Sequence, residues 1–389
     1  MALTPSYKAH REILPDLVRA VALMGIAVVN SMVFAYPLEA GPYGEPSEGA
    51  LNAASAGGVF WLAAGKFYAL FSLMFGASVF YQHTAAERAQ ADFNRRQTRR
   101  LIGLGVLGLI HYVFFFLGDI LVTYAVLGAL LLTMLGKSQT SLIRWGLILI
   151  AIQVLILLAL AGMFAGLEAV KPGFLGTKML KSVEETLLVM GSGNFLEQAA
   201  FRALSYSEVL PGVLMSQGIA TFGYFCIGLA FARSGWIANP AAQIWSRVRL
   251  VFLPLGLLVG GVGAWLVMEA ESGYGGMALF GMAILFLAAP GQALGYAGLL
   301  AALAQKPGAI VRFISKAGQA SLSAYLLQSV IMTVVFSGWG LGLYGKLPAA
   351  LVIAIGAATA LVSILFAATW MSRFKRGPVE IAFRAWTYG

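Results

Sequence analysis

Long apolar stretches separated by short polar or basic connections dominate the chain. Ten of them come near or exceed the roughly 20 residues a helix needs to cross a bilayer: about 16–37, 57–84, 101–118, 120–136, 141–166, 209–233, 247–268, 275–304, 319–340 and 347–371. The pattern predicts an all-α, polytopic membrane helix bundle of about ten transmembrane helices. The longest soluble stretch, 167–208, has apolar residues at amphipathic spacing and places Ser182 and Glu185 at capping-box spacing. It is expected to be a partly helical extracytoplasmic loop. No internal repeat and no Pro/Gly-rich linker divides the chain, so residues 1–389 are expected to form a single transmembrane domain.

Composition agrees with this pattern. Hydrophobic residues make up 60% of the 389 and charged residues 11%, with a mean hydropathy of +0.83. That is more apolar material than one soluble core of this size can bury. A net charge of +10 would suit a nucleic-acid partner. The basic residues, however, fall in short clusters between apolar runs, which is how loop charges orient membrane helices. Nucleic acid is therefore set aside, and the lipid bilayer is the expected partner. With the N-terminus in the cytoplasm, only Lys171, Lys178, Lys181, Arg202 and Lys346 fall on the outer side, while Arg19 and Lys66 lie within spans. Both termini are then cytoplasmic. The only cysteine, Cys226, lies in an apolar run, so no disulfide framework and no metal site is expected.

A charged group at membrane depth costs roughly 2.5 to 3.5 kcal/mol on insertion scales, so those present call for a partner or a cavity. The first span opens with Asp16 and Arg19 and reaches Asn30; Arg19 and Asn30 share one helix face, and Asp16 can pair with Arg19. Lys66 on the second span, His111 on the third, Gln217 on the sixth and Gln328 on the ninth reach similar depths to Asn30. These five suggest a polar chamber nearer the outer side. His111 is the candidate general base, since an imidazole takes up a proton near neutral pH. Asp119, eight residues on, lies out of its reach on a regular helix and could pair with it only if the helix breaks at Gly118. Each group also has a structural reading: an ion pair at the helix end for Asp16 and Arg19, and interhelical hydrogen bonding for the amides and the histidine. No GxSxG elbow, phosphate-cradling glycine loop or HExxH helix is present, so hydrolase, nucleotide and zinc chemistries have little support.

DLVRAVALMGIAVVN (16–30), GKFYALFSLMFG (65–76), RRLIGLGVLGLIHYVFFFLGDILVTYAVLG (99–128), ASLSAYLLQSV (320–330, with Tyr325) and the closing RGPVEIAFRAWTYG resemble the motifs of the YeiB-like bacterial membrane family, whose function is largely unassigned. That family is thought to be related to the transmembrane acyltransferase superfamily that includes heparan-α-glucosaminide N-acetyltransferase. The bacterial O-acyltransferases carry an arginine followed, after ten residues, by a catalytic histidine. Here Arg19 is kept and Asn30 stands in the histidine's place. Residues 38–58 also contain no histidine, so His111 would have to serve as the base from another helix.

The resemblance implies a multi-pass protein of the bacterial cytoplasmic membrane. It would move an acyl group from a cytoplasmic, acyl-CoA-like donor to an acceptor in a chamber near the outer side. His111 and Asp119 are the catalytic candidates; Asp16, Arg19, Asn30, Lys66, Gln217, Gln328 and Tyr325 are the substrate-binding candidates. The expected partners are a small-molecule donor and acceptor, with no covalently bound cofactor and with a homo-oligomer left open. Two other readings stand beside this one. The first is a transporter of a small, anionic solute, with Lys66 as its anion site and His111 as a proton relay; the second is a noncatalytic membrane scaffold.

Overall fold

The computed structural model describes residues 12–37, 40, 49–270, 273 and 275–388, with the backbone alone at 174–180. Every regular element among them is helical. In chain order they are α1 (Ile13–Ala35), α2 (Ala50–Leu62), α3 (Lys66–Arg88), α4 (Phe93–Phe114), α5 (Leu121–Leu132), α6 (Gln139–Val170), α7 (Phe174–Ser192), α8 (Phe195–Val213), α9 (Ile219–Arg233), α10 (Gln243–Arg247), α11 (Leu253–Met268), α12 (Gly276–Gln305), α13 (Ala309–Gln319), α14 (Ser321–Phe336), α15 (Ala349–Arg373) and α16 (Pro378–Tyr388). Among the described residues seven helical segments, counting α2–α3, α8–α9 and α10–α11 as one each, are long and apolar enough to cross a membrane, or eight if α13 and α14, bent by 83° at their junction, count as one. This makes the chain a multi-pass membrane protein by length and composition. Large apolar side chains such as Leu155, Leu258, Trp265 and Leu361 stay exposed on the outer helices, as a lipid-facing surface requires.

Two ends of the bundle can be told apart by what holds them. At one end, α16 lies across the start of α4, where the Trp386 indole donates to the Arg99 carbonyl at 2.8 Å. There too the Lys316 ammonium donates to Ser372 at 3.0 Å, and the Arg233 guanidinium caps the Leu135 carbonyl. This is the basic end. At the other, the Gly345 amide donates to Ala35 at 2.8 Å and the Gly338 amide to Met190 at 2.9 Å.

At the centre, α3 and α9 approach through glycines. A Cβ on Gly76 would lie 2.1 Å from the Phe225 carbonyl oxygen, and one on Gly228 would lie 1.9 Å from that of Leu73. Small residues allow this backbone contact, which aligns the aromatic rings of Phe75, Tyr124 and Phe225.

Several expectations are corrected here. The second span carries a turn, although α2 and α3 together still make one candidate crossing: α2 ends at Leu62, and Gly65, at φ +83°, leads into α3 in a left-handed conformation that suits glycine. The third ends at Phe114 rather than 118, and the fourth shortens to Leu121–Leu132. The stretch 167–208 is almost wholly helical. Ser182 and Glu185 lie inside α7, and the capping box that forms is Asn194 with Glu197 at the start of α8.

Candidate functional site

The end of α4 builds the first part of the site. The Phe115 and Phe116 amides both donate to the His111 carbonyl at 2.9 Å, which closes the helix early. The carbonyls freed by that closure are taken by distant side chains. Arg202 of α8, wholly buried, donates through Nε to Val113 at 2.8 Å and through Nη2 to Phe114 at 3.1 Å. The Thr333 hydroxyl of α14 is shared between the Ser329 carbonyl at 2.7 Å and the Phe115 carbonyl at 3.1 Å. The chain then turns back far enough for Asp119 to reach His111.

The resulting pair is buried, with both side chains about 1% exposed and His111 Nδ1 2.8 Å from Asp119 Oδ1. Asp119 Oδ2 accepts the Val122 amide at 3.1 Å. Since both carboxylate oxygens act as acceptors, the proton on the imidazole is assigned to Nδ1, and Nε2 keeps its lone pair. Among the described residues Nε2 has no hydrogen-bond partner. This is the arrangement in which a carboxylate orients an imidazole base.

Beside the pair runs a cavity of about 560 Å³ that reaches from the α2–α3 break to the basic end. Gly65, just before α3, and Gln82 of α3 both line it, a separation of about 26 Å along that helix. Its middle is apolar, walled by Leu23, Phe71, Phe75 and Leu104. Toward the end opposite the basic one it meets Asn30, Tyr68 and Gln217. Gln217 sits in a π-helical turn, Leu214–Gly218, that follows Pro211; a proline breaks the regular hydrogen-bond ladder, and such wide turns recur at functional sites. Tyr325 lines the cavity and packs on the imidazole, with ring centroids 5.1 Å apart.

The candidates thus divide. Asn30, Gln217 and Tyr325 line the cavity, and His111 and Asp119 stand behind Tyr325. Lys66, wholly buried, donates from Nζ to the Phe60 carbonyl at 2.7 Å and so caps the end of α2 instead of facing the cavity. Gln328 donates to Ser363 at 2.9 Å and to Leu23 at 3.4 Å, tying α14 to α15 and α1. Asp16 and Arg19 pair at 3.1 Å and lie outside the cavity lining. Gly318 packs so close that a Cβ there would come within 1.8 Å of the Asp16 carbonyl oxygen, which docks α13 against α1.

Sequence reasoning missed the mouth at the basic end, where Gln82, Arg100, Arg376, Glu380, Arg384 and Tyr388 line the cavity. Glu380 Oε1 accepts the Leu322 and Ser323 amides at 2.9 and 3.1 Å, and Oε2 accepts the Ser323 hydroxyl, so α16 caps the start of α14. The only local signal was the closing RGPVE, where Pro378 opens a helix and Glu380 falls in its first turn. Among the described residues no group of three or more metal-ligating side chains comes together.

Fold and site together define a polytopic helical membrane protein with a deep, partly polar cavity beside a buried His–Asp pair. Residues 231–389 match the model of a family described as a protein of unknown function, DUF418. The uncharacterized protein YxaH of Bacillus subtilis (strain 168) is 26% identical, covering 100% of this chain and 96% of its own. The uncharacterized protein YeiB of Escherichia coli (strain K12) is 29% identical, covering 97% and 96%. The chain is thus similar to both proteins over nearly its whole length. No solved structure matches it.

Proposed function

We propose that the protein is a membrane-embedded acyltransferase of the bacterial cytoplasmic membrane. In this reading it has ten crossings, counting α4 and the short α5, with both termini and the basic end in the cytoplasm. The observation that carries the proposal is the His111–Asp119 pair, with Nε2 unpartnered next to a cavity-lining tyrosine. An acyl thioester enters from the basic end and places its carbonyl near Tyr325. A swing of Tyr325 opens Nε2 to the acceptor. The acceptor's O–H or N–H proton passes to Nε2 as the oxygen or nitrogen attacks the thioester carbonyl. The C–S bond then breaks, and the departing thiolate takes the proton from the imidazolium, which restores the base. Asn30 and Gln217 supply amide donors for the oxyanion and the acceptor.

The test uses purified protein in vesicles with labelled acyl-CoA and hydroxyl- and amine-bearing acceptors. Wild-type protein should form acyl product, and His111→Ala should lower its rate by about 10²- to 10⁴-fold with donor affinity little changed. Product formation by His111→Ala at the wild-type rate would refute the proposal. A second reading, transport of a small solute, is favoured by the cavity's length and by the bent helix pair α13–α14 that borders it. Uptake of an unmodified solute without any acyl product would support that reading instead.

A further inference from the structure

The cavity's mouth at the basic end differs in kind from its middle. Three guanidiniums line it: Arg100 from α4, Arg376 from the connection before α16, and Arg384 from α16. One carboxylate, Glu380, stands against them, and both its oxygens already serve the start of α14. Among the described residues no carboxylate lies within salt-bridge distance of any of the three. Arg384 rests over the Tyr388 ring at 4.1 Å and Arg100 over the Phe75 ring at 5.2 Å. Arg100 Nη1 is buried and has no hydrogen-bond partner. Buried guanidinium N–H groups are ordinarily satisfied, so one without a partner on a residue of the cavity lining fits a partner that arrives from outside the chain, once the side chain turns to meet it.

We propose that this mouth binds the phosphate end of an anionic amphiphile. Arg100 grips the phosphate, Arg376 and Arg384 balance its remaining charge, and the acyl chain lies in the apolar middle between Leu23, Phe71, Phe75 and Leu104. A planar guanidinium suits a phosphate's paired oxygens, and the apolar walls suit a hydrocarbon chain. The inference rests on reading the cavity as a substrate chamber and names the charged end of its donor. It also moves anion recognition from Arg19, which Asp16 already holds, to Arg100. The phosphate of a nucleotide thioester and that of a phospholipid offer the same group to this site.

The test is binding of tritiated oleoyl-CoA to the full chain in nanodiscs of uncharged lipid, with competition by oleoyl lysophosphatidic acid and by monoolein. Oleoyl-CoA should bind, with affinity falling as salt rises. Arg100→Gln should weaken binding by about tenfold or more, and Arg100→Lys should recover part of the loss. Lys375→Gln, on the same surface but outside the cavity, should leave affinity unchanged. Competition by lysophosphatidic acid supports the site and extends it to phospholipids; failure to compete supports it and restricts it to the nucleotide thioester. Equal competition by monoolein, which lacks phosphate, would overturn the proposal, as would an unchanged affinity in folded Arg100→Gln protein. If Arg100→Gln does not fold, the exposed pair Arg376→Gln and Arg384→Gln carries the test, and unchanged affinity there would overturn it. Binding that needs Arg100 in a protein that never transfers an acyl group would sink the enzymatic reading and leave this site standing. Acyl transfer with donor affinity independent of Arg100 would sink the site alone.

Discussion

Replacing Asp119 by asparagine tests the orientation of the base without changing the size of the side chain. In the native protein both carboxylate oxygens accept, from His111 Nδ1 at 2.8 Å and from Val122 N at 3.1 Å, and the pair is about 1% exposed. An asparagine can keep only one of these arrangements. If its carbonyl faces His111, its NH₂ opposes the Val122 amide, and two buried donors meet; that costs about 1–3 kcal/mol of stability. If it flips, the NH₂ faces His111, Nδ1 must accept, and the proton moves to Nε2. Stability is then nearly kept and the base is lost, an effect of about 10⁴-fold where an aspartate-to-asparagine change of this kind has been made in a serine protease triad. Thermal unfolding and ¹⁵N NMR of the histidine ring read the two cases separately. A variant with native stability, the Nδ1–H tautomer and undiminished acyl transfer would refute the orientation argument.

Other substitutions probe the surroundings of the pair and the cavity. Arg202→Ala should strip charge-assisted bonds from the Val113 and Phe114 carbonyls, each worth about 1.5–3 kcal/mol, and lower the thermal unfolding midpoint sharply; an unchanged midpoint would show that α8 does not cap α4. Lys66→Met removes a buried charge together with the cost of burying it, so stability should change by only about 1 kcal/mol and oleoyl-CoA binding should persist; loss of anion binding would instead restore Lys66 as the anion site. Gly228→Ala places a Cβ on the Leu73 carbonyl, so α3 and α9 must part and stability should fall by about 1–3 kcal/mol or more, measured by thermal unfolding in detergent.

What the sequence shows and what it conceals follow from where each interaction comes from. Apolar runs alone reveal the long helices such as α6, α12 and α15, because a bilayer-spanning segment carries its own signal. The break at Gly65 is hidden, since glycine is ordinary within membrane helices and nothing local marks a left-handed residue. The early end of α4 is hidden for another reason. Its capping groups, Arg202 and Thr333, are 88 and 218 residues away from the carbonyls they take at Phe114 and Phe115. That early end is also what brings Asp119 onto His111, so a regular helix drawn from the sequence separates the two. Asn30 and Gln217 are legible as polar residues at depth and Tyr325 only through the motif that holds it, but depth cannot tell Gln217, which lines the cavity, from Gln328, which ties helices together. Arg100 reads in the sequence as one more charge of a basic cluster. It becomes a cavity residue only because α16 folds back over the start of α4.

Acyl transfer across this cavity can be followed with a label in sealed vesicles that hold the purified protein. Acyl-CoA carrying a labelled acyl group is enclosed on the side of the basic end, and a panel of hydroxyl- and amine-bearing acceptors is supplied on the other. The label should appear covalently on an external acceptor while one equivalent of free CoA thiol accumulates inside, and His111→Ala should slow both together by about 10²- to 10⁴-fold. Label that never leaves the thioester, or an acceptor that crosses the membrane unmodified, would contradict that transfer.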